Sequence, residues 1–187
     1  MTVAVLAVQG AFEEHEKMLW KLGAKVTELR KAEDLKKDFV GLVLPGGEST
    51  VQGKLLRELG MFETLRKRIA DGMPVLATCA GLILLANEIS NDTGRYFQTL
   101  PVTVKRNAYG RQLGSFFYEG EIKGIGQYPM EFIRAPYIEK VNTAVSVLAE
   151  VEGNTVAVQY KNQLAMSFHP ELTEDTRIHE KFLAMFA

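Results

Sequence analysis

The sequence predicts a three-layer α/β sandwich built on a mixed, mainly parallel central sheet. Three observations lead there. Over the first half of the chain, continuous apolar runs stopped by glycine or proline alternate with stretches of helical spacing. From about Thr99 the runs become shorter and alternating, which suggests antiparallel strands continuing or flanking that sheet. Finally, the motifs that carry reactive side chains fall where apolar runs end, and open sheets of this kind gather ligands at the carboxyl ends of their strands.

The elements follow in order. Val3 to Val8 is apolar throughout and ends before Gln9-Gly10, the pattern of a strand buried on both faces. Phe12 to Leu22 has helical spacing, with Phe12, His15, Leu19 and Leu22 on one side and Gly23 closing it. Lys25 to Arg30 reads as a second strand, and the charged Lys31 to Asp38 as a loop or short helix. Phe39 to Leu44 is a third buried strand, stopped by Pro45-Gly46-Gly47. Two helical stretches follow, Glu48 to Leu59 and Phe62 to Asp71, the second ending at Gly72. Pro74 to Thr78 is the fourth strand, and Ala80 to Ile89 continues as a helix. Beyond it, Val102 to Val104, Ser115 to Tyr118 and Met130 to Ile133 read as strands. Thr155 to Tyr160 and Gln163 to Phe168 form a hairpin around Lys161-Asn162, and a helix from about Glu174 to Phe186 closes the chain.

Composition bounds the class. At 187 residues with 47% hydrophobic content, the chain fits a single domain, residues 1–187, able to bury a full core. No repeat, low-complexity tract or linker interrupts it. A net charge of -1, from 22 basic and 23 acidic residues, gives no field that points to nucleic acid or an anionic membrane. No apolar run approaches the roughly 20 residues that span a bilayer, and the apolar start lacks the basic flank of a signal peptide. A single cysteine excludes an internal disulfide and argues for a reducing, cytoplasmic setting.

That cysteine, Cys79, carries the chemistry. Val75-Leu76-Ala77-Thr78 enters as a strand, and Ala80-Gly81-Leu82 leaves as a helix. The thiol therefore sits on a tight strand-to-helix turn, where unpaired N–H groups favour a thiolate and can also receive an oxyanion. A lone cysteine is more often a small buried hydrophobe, but this context reverses the weighting. Far downstream, His169-Pro170-Glu171 follows another apolar run and supplies a base with a carboxylate to orient it. The bland alternative is a proline starting a helix after the strand. Cysteine, histidine and acid, each at a strand end, are the components of nucleophilic acyl transfer. His15 and His179 lie within helices and read as structural or surface residues.

Pro45-Gly46-Gly47-Glu48-Ser49-Thr50 reads first as a turn capping a helix, with Ser49 or Thr50 as N-cap. Two adjacent glycines also let backbone N–H groups face a ligand, so Gly47 and Ala80 are the candidate oxyanion donors. The peptide between the glycines can equally hold its donor turned away until something reorders it. The Gly-Lys-Ser/Thr ending of a phosphate-binding loop is missing. Arg106 and Arg134, the latter between an apolar strand and Pro136, are candidates for a substrate carboxylate. Taken singly, either reads equally well as a surface arginine. No metal-ligand spacing or nucleotide fingerprint is present, so neither metal nor cofactor is expected.

The Cys79 elbow, the Pro-Gly-Gly-Glu-Ser-Thr turn and Phe168-His169-Pro170-Glu171-Leu172-Thr173 resemble class I glutamine amidotransferase domains, a flavodoxin-like architecture. Leu6-Ala7-Val8-Gln9-Gly10-Ala11, Arg106-Asn107 and Phe132-Ile133-Arg134-Ala135-Pro136 extend the likeness end to end. They narrow it to the glutaminase subunits of two-component pyridoxal 5′-phosphate synthases. The resemblance implies hydrolysis of L-glutamine to glutamate and ammonia, with Cys79, His169 and Glu171 as triad. It implies an oxyanion hole at Gly47 and Ala80, and glutamine held by Gly47, Glu48, Ser49, Arg106, Ile133 and Arg134. It implies a separate (β/α)8-barrel synthase subunit that receives the ammonia through a tunnel, activates the glutaminase on docking, and meets it near Gln9-Gly10 and the following helix. One departure is Ala77, where the family elbow usually has glycine. The alternatives are a glutaminase serving another acceptor synthase, a cysteine-elbow peptidase, deglycase or redox-responsive chaperone, and a non-catalytic binding module of the same fold. The second group is expected to carry its base close behind the cysteine, where nothing useful follows Cys79.

Overall fold

The computed structural model describes residues 1–110 and 114–186. The first half alternates as the sequence predicts: β1 (Thr2–Leu6), α1 (Phe12–Lys21), β2 (Lys25–Leu29), β3 (Gly41–Leu44), α2 (Ser49–Glu58), α3 (Phe62–Ala70), β4 (Val75–Thr78) and α4 (Ala80–Leu85). The charged linker after β2 is a short 3-10 segment, Ala32–Lys36. The second half is mostly strand: β5 (Ala86–Ile89), β6 (Leu100–Lys105), β7 (Ser115–Ile122), β8 (Gly126–Ile133), β9 (Tyr137–Val141), β10 (Ser146–Val151), β11 (Asn154–Tyr160) and β12 (Gln163–Met166). The helix α5 (Arg177–Leu183) completes it.

Among the described residues the central sheet runs β2-β1-β3-β4-β12-β11-β9-β6-β5, with β10 paired to β11 outside that path. The pairings from β2 through β12 are parallel, as is β5 with β6; those of β11 and of β9 are antiparallel. The hairpin β7-β8 forms a separate two-stranded sheet. The later strands thus both continue and flank the sheet.

Alternation along the parallel strands feeds two cores. Ala4, Leu6, Leu42 and Leu44 face the layer of α2, α3 and α4, where they meet Leu56, Leu65 and Leu82. Val3, Val5 and Val43 face the layer of α1, α5 and the β7-β8 hairpin, against Leu19, Ile178, Phe182, Met130 and Phe132. Strands covered on both faces leave no room for polar alternation, which is why these runs are continuously apolar.

The strand order also places the site. The chain passes from β1 out to β2 and returns to β3 on the other side of β1, so the loops after β1 and β3 bound one crevice. Beside them, β4 and β12 pair in register, Thr78 opposite Met166. The Cys79 amide extends this ladder by donating to the Met166 carbonyl at 2.8 Å. The residues that follow β4 and β12 therefore emerge together.

Two expected boundaries are corrected. The helix expected over Ala80 to Ile89 ends at Leu85, and Ala86–Ile89 is a strand. The carbonyls of Leu84 and Leu85, which a continuing helix would use, instead accept the Phe97 and Thr99 amides, while β5 pairs with β6. An apolar run of that length fits either state, and tertiary pairing decides it. The last helix begins at Arg177 and not at Glu174, because Asp175 turns back to accept the Arg177 amide at 3.1 Å.

Gly81 brings the elbow helix close against the sheet: a Cβ there would run into the Leu44 carbonyl oxygen of β3. Gly81→Ala is expected to destabilise the fold by about 2 kcal/mol, the usual scale of overpacking against fixed backbone. Denaturant unfolding of both proteins checks this; equal midpoints would show that α4 shifts freely.

Candidate active site

Cys79 joins β4 to α4 with φ 50° and ψ -104°, a left-handed conformation that a residue with a side chain adopts only under constraint. The constraint is visible. Its amide is fixed to Met166 on one side, and Gly81 lies against β3 on the other. The sulfur is held at the strand end with Ile133 O 3.9 Å away. Ala77, where the family elbow usually has glycine, lies within β4 and does not need positive φ, so the added methyl is accommodated.

His169 follows β12 and is fixed by its amide, which donates to Glu131 O of β8 at 2.8 Å. Its Nδ1 lies 2.6 Å from Glu171 Oε1, and both side chains are almost completely buried. Burial alone would push the His169 pKa down. The neighbouring Cys79 and Glu171 side chains more than offset it, by hydrogen bonding and charge, and push it up to about 10. The 3-10 turn Pro170–Leu172 sets the separation of the two groups, with Pro170 at its start.

The Gly46-Gly47 turn roofs this pair. A Cβ on Gly46 would strike the His169 ring, so only glycine fits there. The Gly46 carbonyl accepts the Ala11 amide at 2.9 Å. Gln9 Oε1 accepts the Glu48 amide at 2.8 Å, and Gln52 Nε2 donates to Gln9 O and Pro45 O, both at 3.1 Å. The turn is therefore tied to the segment that opens α1. Glu48, not Ser49 or Thr50, is the N-cap of α2, accepting the Val51 amide at 2.7 Å. Its longer side chain reaches the helix end from the outer rim, whereas Ser49 turns inward with its hydroxyl buried and unpartnered.

A cavity of about 460 Å³ opens here, lined among others by Gly46, Gly47, Glu48, Ser49, Cys79, Ala80, Arg106, Ile133, Arg134 and His169. The residues singled out in the sequence thus converge, with Glu171 lying behind His169. Arg106 reaches the site already paired: its guanidinium holds Glu48 Oε1 at 2.7 Å and Asp92 Oδ2 at 2.6 Å, and touches Thr50 Oγ1 at 3.1 Å. Glu48 stays below its ordinary pKa; burial opposes this, and the Val51 and Thr50 amides with Arg106 outweigh it. Arg134 sits at φ 42° at the end of β8, its amide bonded to Gly114 O.

Sequence reasoning missed Gln52, which offers no signal beyond its helical position. It also left the placement of His15 and His179 open. Neither is at the surface: both are fully buried, and His15 stands directly behind Glu171.

The fold, with a cysteine elbow, a di-glycine roof and a histidine–glutamate pair at one end of the sheet, defines a class I glutamine amidotransferase architecture. The sequence matches the SNO glutamine amidotransferase family over residues 5–187. It is 64% identical to the pyridoxal 5′-phosphate synthase subunit PdxT of Desulfitobacterium hafniense strain Y51, over 98% of this chain and 92% of that protein. It is 52% identical to the subunit of that name from Streptococcus pneumoniae strain ATCC 700669, over 99% of this chain and 97% of the relative. A solved glutamine amidotransferase superposes with a TM-score of 0.93 at 44% identity, covering 98% of each chain. A glutamine amidotransferase from Thermotoga maritima shares the fold, with a TM-score of 0.66 at 16% identity, over 98% of this chain and 83% of that one. The chain belongs to the SNO family of glutamine amidotransferases.

Two outcomes follow from the elbow and the ion pair. Cys79→Gly and Cys79→Ala both lose the thiol, but only glycine relaxes φ 50°. Cys79→Gly is expected to be the more stable by about 1 kcal/mol, since strain of this kind costs about 1–3 kcal/mol and glycine returns part of that in chain entropy; equal unfolding midpoints would contradict it. For His169, the folded pKa of about 10 lies above the ordinary value of 6.5. Its stabilising contribution is then fully present below about pH 6.5 and disappears as pH rises through 10. Unfolding midpoints measured up to pH 11 are expected to fall more steeply for the natural chain than for His169→Gln.

Proposed function

We propose that this chain is the glutaminase subunit of a pyridoxal 5′-phosphate synthase, acting as one domain, residues 1–187. It hydrolyses L-glutamine to L-glutamate and ammonia and delivers the ammonia to a separate (β/α)8-barrel synthase subunit. The observation that carries the chemistry is the Glu171–His169 pair, 2.6 Å apart, beneath the Cys79 elbow at the end of the sheet. The relatives named as pyridoxal 5′-phosphate synthase subunits support the choice of acceptor. A single cysteine that must remain a thiol suits a reducing, cytoplasmic setting.

The Cys79 thiolate attacks the side-chain amide carbon of glutamine, forming the C–S bond and a tetrahedral oxyanion. The Gly47 N–H and the Ala80 N–H, the latter in the first turn of α4 where helical amides have no internal acceptor, receive that oxygen. His169, as imidazolium, gives its proton to the departing nitrogen, and ammonia leaves a glutamyl thioester. Neutral His169 then takes a proton from water, which adds to the thioester; collapse releases glutamate, and the thiolate–imidazolium pair returns. Glu171 keeps the Nδ1 proton on His169, so that Nε2 does the transfers.

Glutamine lies among Gly47, Glu48, Ser49, Arg106, Ile133 and Arg134, which line the cavity. Arg106 acts through Glu48: its guanidinium is already shared by Glu48 and Asp92, so it orients that carboxylate toward the substrate ammonium. The inward Ser49 hydroxyl supplies a further polar contact.

Partner control enters through the roof. In a trans peptide the Gly46 carbonyl and the Gly47 N–H point in opposite directions, so the contact from Ala11 to Gly46 O fixes the donor's orientation. A partner that meets Gln9-Gly10 and α1 moves the group holding that peptide. Trp20, 56% exposed on α1, supplies the aromatic surface such contacts use.

Ammonia release from L-glutamine is expected to be slow for the chain alone, to rise at least tenfold with the barrel subunit, and to vanish in Cys79→Ala. Full activity without the barrel would remove the gating. No hydrolysis by the folded chain with its cognate barrel would overturn the assignment.

A further inference from the structure

Behind the cysteine–histidine–glutamate set the structure holds two more imidazoles. His15 of α1 and His179 of α5 are fully buried, with His15 Nδ1 2.9 Å from His179 Nε2. On its other side, His15 Nε2 lies 3.2 Å from Thr78 Oγ1 and 3.4 Å from Glu171 Oε2. That carboxylate oxygen accepts no hydrogen bond, although Oε1 is bound by His169. The groups form a continuous line from α5 through α1 to the end of β12, ending at the elbow.

Protonation along the line follows from charge. Both His15 and His179 are held neutral: burial drives His15 well below its ordinary pKa, helped by His179 and His169, and burial lowers His179 to about 4. Two neutral imidazoles share one proton across the 2.9 Å contact. Were it on His15 Nδ1, the bare Nε2 lone pair would face the Glu171 carboxylate. With it on His179 Nε2, the His15 proton sits on Nε2 and points at Thr78 and that carboxylate. Electrostatics select the second arrangement.

We infer that His15, with its tautomer set by His179, is a positioning residue for Glu171: its Nε2–H, bonded to Thr78 Oγ1, presents its positive end to the carboxylate oxygen that His169 does not hold and pins it by electrostatic attraction, so that the other oxygen stays on His169. The arrangement resembles the outer partners that orient metal-bound histidines, with a carboxylate in place of the metal ligand. Without the pin, a buried carboxylate with one anchored oxygen rotates, and the imidazolium that protonates the leaving nitrogen loses its fixed direction. The effect falls on the transition state and not on glutamine binding, because neither His15 nor His179 lines the cavity.

The inference rests on the glutaminase reading, so the test pairs kinetics with a signal independent of turnover. The full-length chain is compared with His15→Leu, His15→Asn and His15→Gln. Glutamine reaches the Nε2 position with an N–H donor, whereas asparagine reaches only the Nδ1 position. Proton NMR follows the His169 Nδ1–H, expected far downfield and slow to exchange in its 2.6 Å bond to Glu171. Glutaminase kinetics are measured with the barrel subunit present. His15→Leu and His15→Asn are expected to lose the downfield resonance and about tenfold in kcat, with KM within twofold; His15→Gln keeps both within threefold. Should His15→Leu fail to fold, the Asn and Gln pair carries the comparison. A retained resonance and unchanged kcat in folded His15→Asn would overturn the inference, as would His15→Gln behaving like His15→Asn. Loss of the resonance in a chain that hydrolyses no glutamine in any form would sustain the positioning role and overturn the glutaminase reading instead.

Discussion

The parallel pairing of β4 with β12 is the constraint on which the site depends. It joins segments far apart in sequence and fixes their register, Thr78 against Met166, so the chain leaves both strands at one level. Without that register an elbow at Cys79 would present a thiol to nothing. The bond from the Cys79 amide to Met166 continues the ladder one residue into the turn and helps hold Cys79 at φ 50°. Strain at Cys79 is thus balanced by backbone hydrogen bonding in a fully buried part of the sheet.

Around this pairing the remaining parts act as supports. β8 fixes the His169 backbone through Glu131 O, and the Pro170–Leu172 turn returns Glu171 beneath the ring. The switch in strand order at β1 brings the Gln9-Gly10 loop against the di-glycine roof, and Gln52 ties both to α2. The roof is thus held from the loop that opens α1, whereas Cys79, His169 and Glu171 are held from the buried sheet ends.

The legible parts of the sequence share a physical cause. Strands β1, β3 and β4 are buried on both faces, so their continuous apolar runs have few other readings. The hairpin of β11 and β12 shows itself because Lys161-Asn162 must turn, and Lys161 indeed takes φ 51°. β5 was hidden inside an apolar run that fits a helix equally well, and β9 and β10 carry exposed polar positions that blur their alternation. Within the site, Cys79, His169 and Glu171 were legible because reactive side chains at strand ends are few. The saturation of Arg106 by Glu48 and Asp92 was not, since it depends on loops meeting in space. Nor was the meeting of His15 and His179, residues 164 positions apart whose local sequences look like ordinary amphipathic helix.

Cys79 acting as the nucleophile toward a glutamine side chain is the central claim, and covalent labelling tests it most directly. A diazoketone analogue of L-glutamine is incubated with the full-length chain, with and without the barrel subunit, and the modified peptide is located by mass spectrometry. One adduct is predicted, on Cys79, formed faster with the barrel present and suppressed by excess L-glutamine. Absence of an adduct in the assembled complex, or labelling indifferent to L-glutamine, would contradict the claim.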